Sequence, residues 1–189
     1  MKKFLLFLFF IFNIHSLSVA DDIGDFEIEG LSIGDSLLDL ASDEQIRSAK
    51  SNSQYPNDKY IVYEVDKFIK SSTYTKISAT TKKNDEKYII TSLSGLMYFK
   101  DLNECLNTRK KIKSDVEKLL NFDDVEEAKY KSQDGKATIH AIQFYLKPYP
   151  LVEAIVLNCK VYFSGQDIRL STAVNPEEYA YFLINEAYK

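Results

Sequence analysis

Cys105, Cys159, His140 and Ser36 are the side chains whose types and settings could carry chemistry in this sequence. A thiolate attacks carbon or binds zinc, a histidine ligates metal or moves protons, and a serine hydroxyl attacks only when a base within hydrogen-bond reach takes its proton. The second histidine, His15, lies in the apolar N-terminal stretch, so a folded domain beginning after it has His140 alone. His140 alternates with Ile142, Phe144 and Leu146, a strand face on which it reads as a core or border residue. A zinc site needs three or four ligands, and neither a paired-cysteine nor a paired-histidine motif occurs. No catalytic residue, metal or cofactor is therefore assigned.

The first twenty residues assign the compartment. Lys2 and Lys3 precede an apolar run from Phe4 to Ile14, and Ser18, Val19 and Ala20 form a small-residue exit, the pattern of a cleavable secretory signal over 1–20. The run is about half the roughly 20 residues that a membrane span requires. Asn13, His15 and Ser16 interrupt it, and no cysteine follows Ala20 for lipidation. The expected product is a soluble chain over 21–189, exported and most consistent with a periplasmic location, with no stable membrane anchor.

Export bears directly on the two cysteines. In an oxidising compartment a pair is the minimum for one bridge, whereas a Cys–His dyad asks an exported thiol to stay reduced. Cys105 falls on the apolar stripe of a helix, and Cys159 on the strand face of Ile155, Leu157, Val161 and Phe163. A Cys105–Cys159 disulfide is expected. Closing the long loop between them contributes roughly 4 kcal/mol in the chain-entropy estimate.

Gly34-Asp35-Ser36-Leu37 resembles the opening signature of the GDSL, or SGNH, hydrolases, which implies Ser36 as a nucleophile. That family's Gly-x-Asn-Asp and Asp-x-x-His blocks are missing, since Asn57 and Asp58 follow Tyr55 and Pro56 without the glycine and Asp134 is too far before His140. On local physics, Gly34 permits a tight turn, Asp35 or Ser36 caps a helical turn, and Leu37, Leu38 and Leu40 pack beneath it. The wider stretch to Asp39, DFEIEGLSIGDSLLD, resembles the start of a set of small secreted bacterial proteins of uncharacterised role. More distantly, a Gly-x-Ser turn followed by a strand meander resembles the α+β domains of β-lactamase-inhibitor-like and outer-membrane-assembly accessory proteins, which implies protein contacts rather than catalysis.

Charge narrows the partners. Losing the leader removes Lys2 and Lys3 and no acidic residue, taking the formal charge from −4 to −6. An acidic surface disfavours nucleic acid and anionic lipid. The basic run Arg109, Lys110, Lys111 and Lys113 shares its helix with Asp115 and Glu117 and reads as a solvated face. The partner expected is an unidentified envelope protein or a small ligand, and the role non-enzymatic.

The elements that must position these residues follow from periodicity. Phe26 to Leu31 alternates; Asp35, and Ser42 with Gln45 in a capping-box arrangement, open short helical turns. Period-two runs predict strands over 60–68, 74–80, 88–99, 138–147, 151–163 and 168–172, with Pro148 and Pro150 turning the chain between the fourth and fifth. Asp101 and Glu104 start a helix to Leu120, and Asn175 before Pro176 opens the last one. The stretch 123–135 reads as a charged connection. The expected fold is α+β, one mainly antiparallel sheet with helices on one face, held by a single disulfide. Two successive groups of three strands and a helix leave an internal duplication open as a topology, without a matching sequence period. Tyr145 and Tyr162 are candidates for an aromatic sugar- or lipid-binding face, were they exposed in one concavity.

Overall fold

The computed structural model describes residues 22–147 and 152–189; the leader at 1–20 and the turn at Pro148 and Pro150 lie outside them. Seven strands form: β1 (Tyr60–Glu64), β2 (Lys76–Lys82), β3 (Ile90–Phe99), β4 (Asp124–Lys131), β5 (Ala137–Lys147), β6 (Glu153–Tyr162) and β7 (Ile168–Asn175). The helices are α1 (Asp43–Ser48), α2 (Leu102–Leu119) and α3 (Glu177–Asn185). All strands join one sheet, ordered β1-β2-β3-β7-β6-β5-β4, with every pairing antiparallel. Two meanders thus meet at β3 and β7, and α2 carries the chain from the middle of the sheet to its β4 edge. The α+β class, the antiparallel sheet and the disulfide are as the sequence predicts.

Register turns alternation into two faces with different chemistry. Leu93, Val174, Ile155 and Phe144 lie opposite one another across β3, β7, β6 and β5, and all four are buried. On this face α2 packs with Cys105 and Val116, and the segment before β1 adds Ile28, Leu37 and Ile46. α2 begins at Asp101, whose carboxylate accepts the Asn103 and Glu104 amides, and α1 at the full Ser42–Gln45 capping box. Leu119, the last residue of α2, turns outward and is exposed. The helices do not all share this face: α3 lies across the opposite one, where Tyr179 and Phe182 pack with Tyr60. The reason is a second apolar patch that Tyr60, one residue out of phase with Ile61 and Tyr63, places on that side.

Three local expectations are corrected. The charged connection contains β4, paired with β5 from Asp124↔Tyr145 to Lys131↔Thr138. Only Val125 in it is even half-buried, so backbone pairing alone forms it, and its charges suit an edge that must resist further strands. The first strand ends at Glu64, because Val65–Lys67 make a 3-10 turn that buries Val65. Phe26 to Leu31 is a tight turn, with Glu29 and Gly30 both at positive φ between the bridged pair Ile28 and Leu31.

That turn aims Glu29 at the loop before β2. Its carboxylate accepts the backbone amides of Ser72 and Thr73 and the hydroxyls of Ser71 and Ser72. Burial would raise its pKa, but these donors outweigh it and hold it at about 2. A depressed carboxylate contributes stability that is complete above its unfolded value near 4.5 and is lost as pH falls toward 2. Glu29→Gln should therefore be less stable than the parent at pH 6, with the gap narrowed but still present at pH 3, as read by urea unfolding at both pH values. A gap that stays constant between them would contradict this assignment.

Candidate functional site

The residues that could do chemistry separate in space. The Cys105 and Cys159 sulfurs are bonded at 2.07 Å, with both residues fully buried between α2 and β6. Ser36 caps the 3-10 turn Leu37–Asp39: its Oγ accepts the Leu38 amide at 3.1 Å and donates to the Lys87 carbonyl at 2.6 Å. Asp35 accepts the Ser32 amide and so closes the loop rather than capping the helical turn. His140 is half-buried on β5, in the row His140–Cys159–Leu170–Met97, whereas Ser36 bridges Ile89 ahead of β3. Three strand spacings and eight residues of rise separate them, on the order of 30 Å. The Ser36 hydroxyl is thus a turn device, and His140 is out of its reach. Burial, then the charges of Lys129 and Arg109, lower the His140 pKa and favour its neutral form.

The basic run on α2 is less solvated than its pattern predicts. Lys113 reaches the Glu127 carboxylate of β4 at 2.5 Å, and Arg109 lies 3.9 Å from the same group. Lys113, then desolvation in opposition, then Arg109 leave Glu127 with a lowered pKa. These cations tie α2 to the edge strand. Among the described residues no group of three or more His, Cys, Asp or Glu is placed to hold a metal, and no helix is long and apolar enough to cross a membrane.

The arrangement with unspent binding capacity lies on the opposite face of the sheet. There the alternation of the two central strands and β2 presents Ser78 and Thr80, Ser92 and Ser94, and Arg169, Ser171 and Asn175. α3 crosses above them, and Tyr55, brought in by the segment before β1, completes the wall. Gln54 fixes that segment: its side-chain amide donates to the Val62 carbonyl and accepts the Val62 amide, as a neighbouring strand would. The result is a groove of about 440 Å³, within the range of small-molecule sites.

Part of its polar lining is already used. Ser92 donates to the Val174 carbonyl, and the Tyr179 hydroxyl meets Tyr55 at 2.9 Å and Thr80 at 3.4 Å. Burial first, then the Tyr179 hydroxyl, pushes the Tyr55 phenol far above its ordinary value, so it stays neutral and able to donate. The remainder is free: the Ser78, Ser94 and Ser171 hydroxyls have no protein partner among the described residues, and Ser78 and Ser94 are directly opposite one another. Arg169 is the groove's sole charged residue, and its Nε is buried without a hydrogen bond. Of the three arginines, Arg47 and Arg109 have carboxylates within 4 Å, and Arg169 has none among the described residues. Next to it, at the Ser171 pair position on β6, Asn158 Oδ1 is likewise buried and unbonded.

A wider depression of about 700 Å³ lies between α1 and the β2–β3 turn. Most of its charges are paired: Arg47 with Asp43 at 2.8 Å, Lys83 with Asp58 and Lys82 with Glu178, while the Tyr88 hydroxyl donates to Asp43; Lys50 and Glu86 line it without an ion pair among the described residues but are exposed to solvent. Size favours this depression and free polar groups favour the groove; recognition needs the free groups. The tyrosines singled out by sequence do not converge. Tyr145 is at the far end of β5, donating to Gln143, while Tyr162 carries Lys160 and Arg169 against its ring at 4.9 and 6.0 Å. Of the groove, sequence reasoning found only the Arg169 neighbour Tyr162. The missed signal was hydroxyl residues at alternate positions of β3 and β7, strands that become central only once their pairing is known. Comparison with protein-family models, with curated proteins and with solved structures returns no match.

Proposed function

We propose that this chain is an exported, non-catalytic binding protein of the cell envelope, working in the periplasm, which takes a small polar ligand into the groove beneath α3. The observation that carries the reading is the set of unpaired polar groups there: three free hydroxyls and an arginine without a carboxylate. Buried polar groups in folded proteins are satisfied, so the buried, unpartnered Arg169 Nε stands out, and the half-buried serine hydroxyls beside it face an opening in which a ligand can replace water. A buried disulfide suits the oxidising compartment to which the N-terminal pattern directs the chain.

The test is a thermal-shift panel of small polar compounds on the mature oxidised protein and on Ser94→Phe, which fills the groove floor from the sheet side. At least one compound should raise the melting temperature of the parent and leave Ser94→Phe unmoved, with the variant's own far-UV spectrum unchanged. No shift with any compound, or equal shifts in both proteins, would sink the reading. A second reading, a protein-contact module, is favoured by the exposed Tyr181 and Ile184 on the outer side of α3. Partner capture that survives Ser94→Phe and is lost in Ile184→Glu would select it instead.

A further inference from the structure

We infer that the groove's ligand is a small hydroxylated carboxylate of the acidic-sugar class, its carboxylate held by Arg169. This rests on the groove being the binding site.

The electrostatics point to one negative charge. The whole chain carries a net −4, yet no Asp or Glu lines the groove, and Arg169 is its single formal charge. The buried Nε has been taken out of water without a protein acceptor, so an arriving anion loses little to competition and relieves a standing cost. Tyr162, with its ring beneath the guanidinium, holds that side chain in place. A planar fork of N–H donors matches the two oxygens of a carboxylate. A doubly charged phosphate asks for a second cation, and Lys160, the neighbour across the strand pair, is drawn onto the Tyr162 ring and does not line the groove.

The rest of the ligand is read from the floor and walls. Ser171 follows Arg169 on the same face of β7, about 7 Å along the strand, a spacing that a single sugar ring bearing a carboxylate spans. Ser94 and Ser78 continue the hydroxyls across β3 and β2. Each serine hydroxyl both donates and accepts, which suits ligand hydroxyls of either orientation. The walls at Tyr55, Tyr179 and Leu183 offer apolar and aromatic surface for the C–H faces of a ring. A linear fatty acid leaves the serine row unpaired, and a neutral sugar leaves Arg169 unpaired.

The experiment is isothermal titration of the mature oxidised protein with galacturonate and, as the matched neutral sugar, galactose. Galacturonate should bind, and galactose should bind roughly 10- to 100-fold more weakly, the scale of a charge-assisted hydrogen-bonded pair. Arg169→Gln should bring the two sugars level, and Arg169→Lys, which keeps the charge and loses the fork, should fall between. Both variants are compared with the parent in unliganded melting temperature, so that a folding defect is separated from a binding one. Absence of galacturonate binding, equal binding of the two sugars, or galacturonate affinity unchanged in Arg169→Gln at native stability would each overturn the inference. A neutral compound whose thermal shift is lost in Ser94→Phe overturns it while leaving the binding-protein reading standing; that reading falls only if no groove-dependent ligand exists.

Discussion

Replacing Cys105 and Cys159 together by alanine should destabilise the domain by roughly 4 kcal/mol, which for a chain of this size lowers the melting temperature by about 8–16 °C. The bridge joins residues 54 apart and links α2 directly to β6. The connection from β3 through α2 to β4 crosses the sheet from its centre to its edge, so the cross-link removes much freedom from the unfolded chain. In the folded state both cysteines are wholly buried among Ile168 and Leu170, and alanine also leaves part of that space unfilled. Thermal melts of the double variant and of the parent with and without reductant measure it. The reduced parent should fall close to the double variant. A double variant that melts with the oxidised parent would show that packing alone holds α2 on the sheet.

Gly95→Ala is expected to cost about 3 kcal/mol although it adds a single methyl group. A Cβ at this position would lie 2.4 Å from Cδ1 of Tyr74 and 2.5 Å from its Cε1. The ring lies flat on the glycine of β3, and its hydroxyl donates to Thr172 Oγ1 of the neighbouring β7 at 3.2 Å. The methyl must displace the ring, which forfeits its packing and leaves the buried Thr172 hydroxyl without that donor. The coupling makes the prediction specific. Tyr74→Ala should itself be costly, and Gly95→Ala made on that background should add little, because the clash has gone. Denaturant unfolding of the four proteins closes the cycle; additive costs would mean that strand geometry, and not the ring, demands the glycine.

What was legible in the sequence was whatever local periodicity writes. Asp101 before an apolar stripe marked α2, Ser42 with Gln45 marked α1, and the run from Ile168 to Thr172 marked the first part of β7. The cysteine pairing followed from two such faces meeting. β4 was hidden because Asp124–Lys131 carries no apolar alternation; it forms through backbone pairing to β5, which no side chain advertises. The groove was hidden for a different reason. Ser94, Ser171 and Arg169 belong to strands far apart in sequence, and only the β3–β7 pairing brings them onto one face of neighbouring strands. Ser36 shows the converse: a four-residue likeness suggested chemistry, and the fold spends its hydroxyl on the Leu38 amide and the Lys87 carbonyl.

The most direct test of the binding account is native mass spectrometry of the mature oxidised protein after incubation with the small-molecule fraction of an envelope extract, run beside Ser94→Phe. The account predicts a reproducible added mass on the parent, of small-molecule size, that is absent from the variant. A parent spectrum with no added mass, or the same added mass on both proteins, would contradict it.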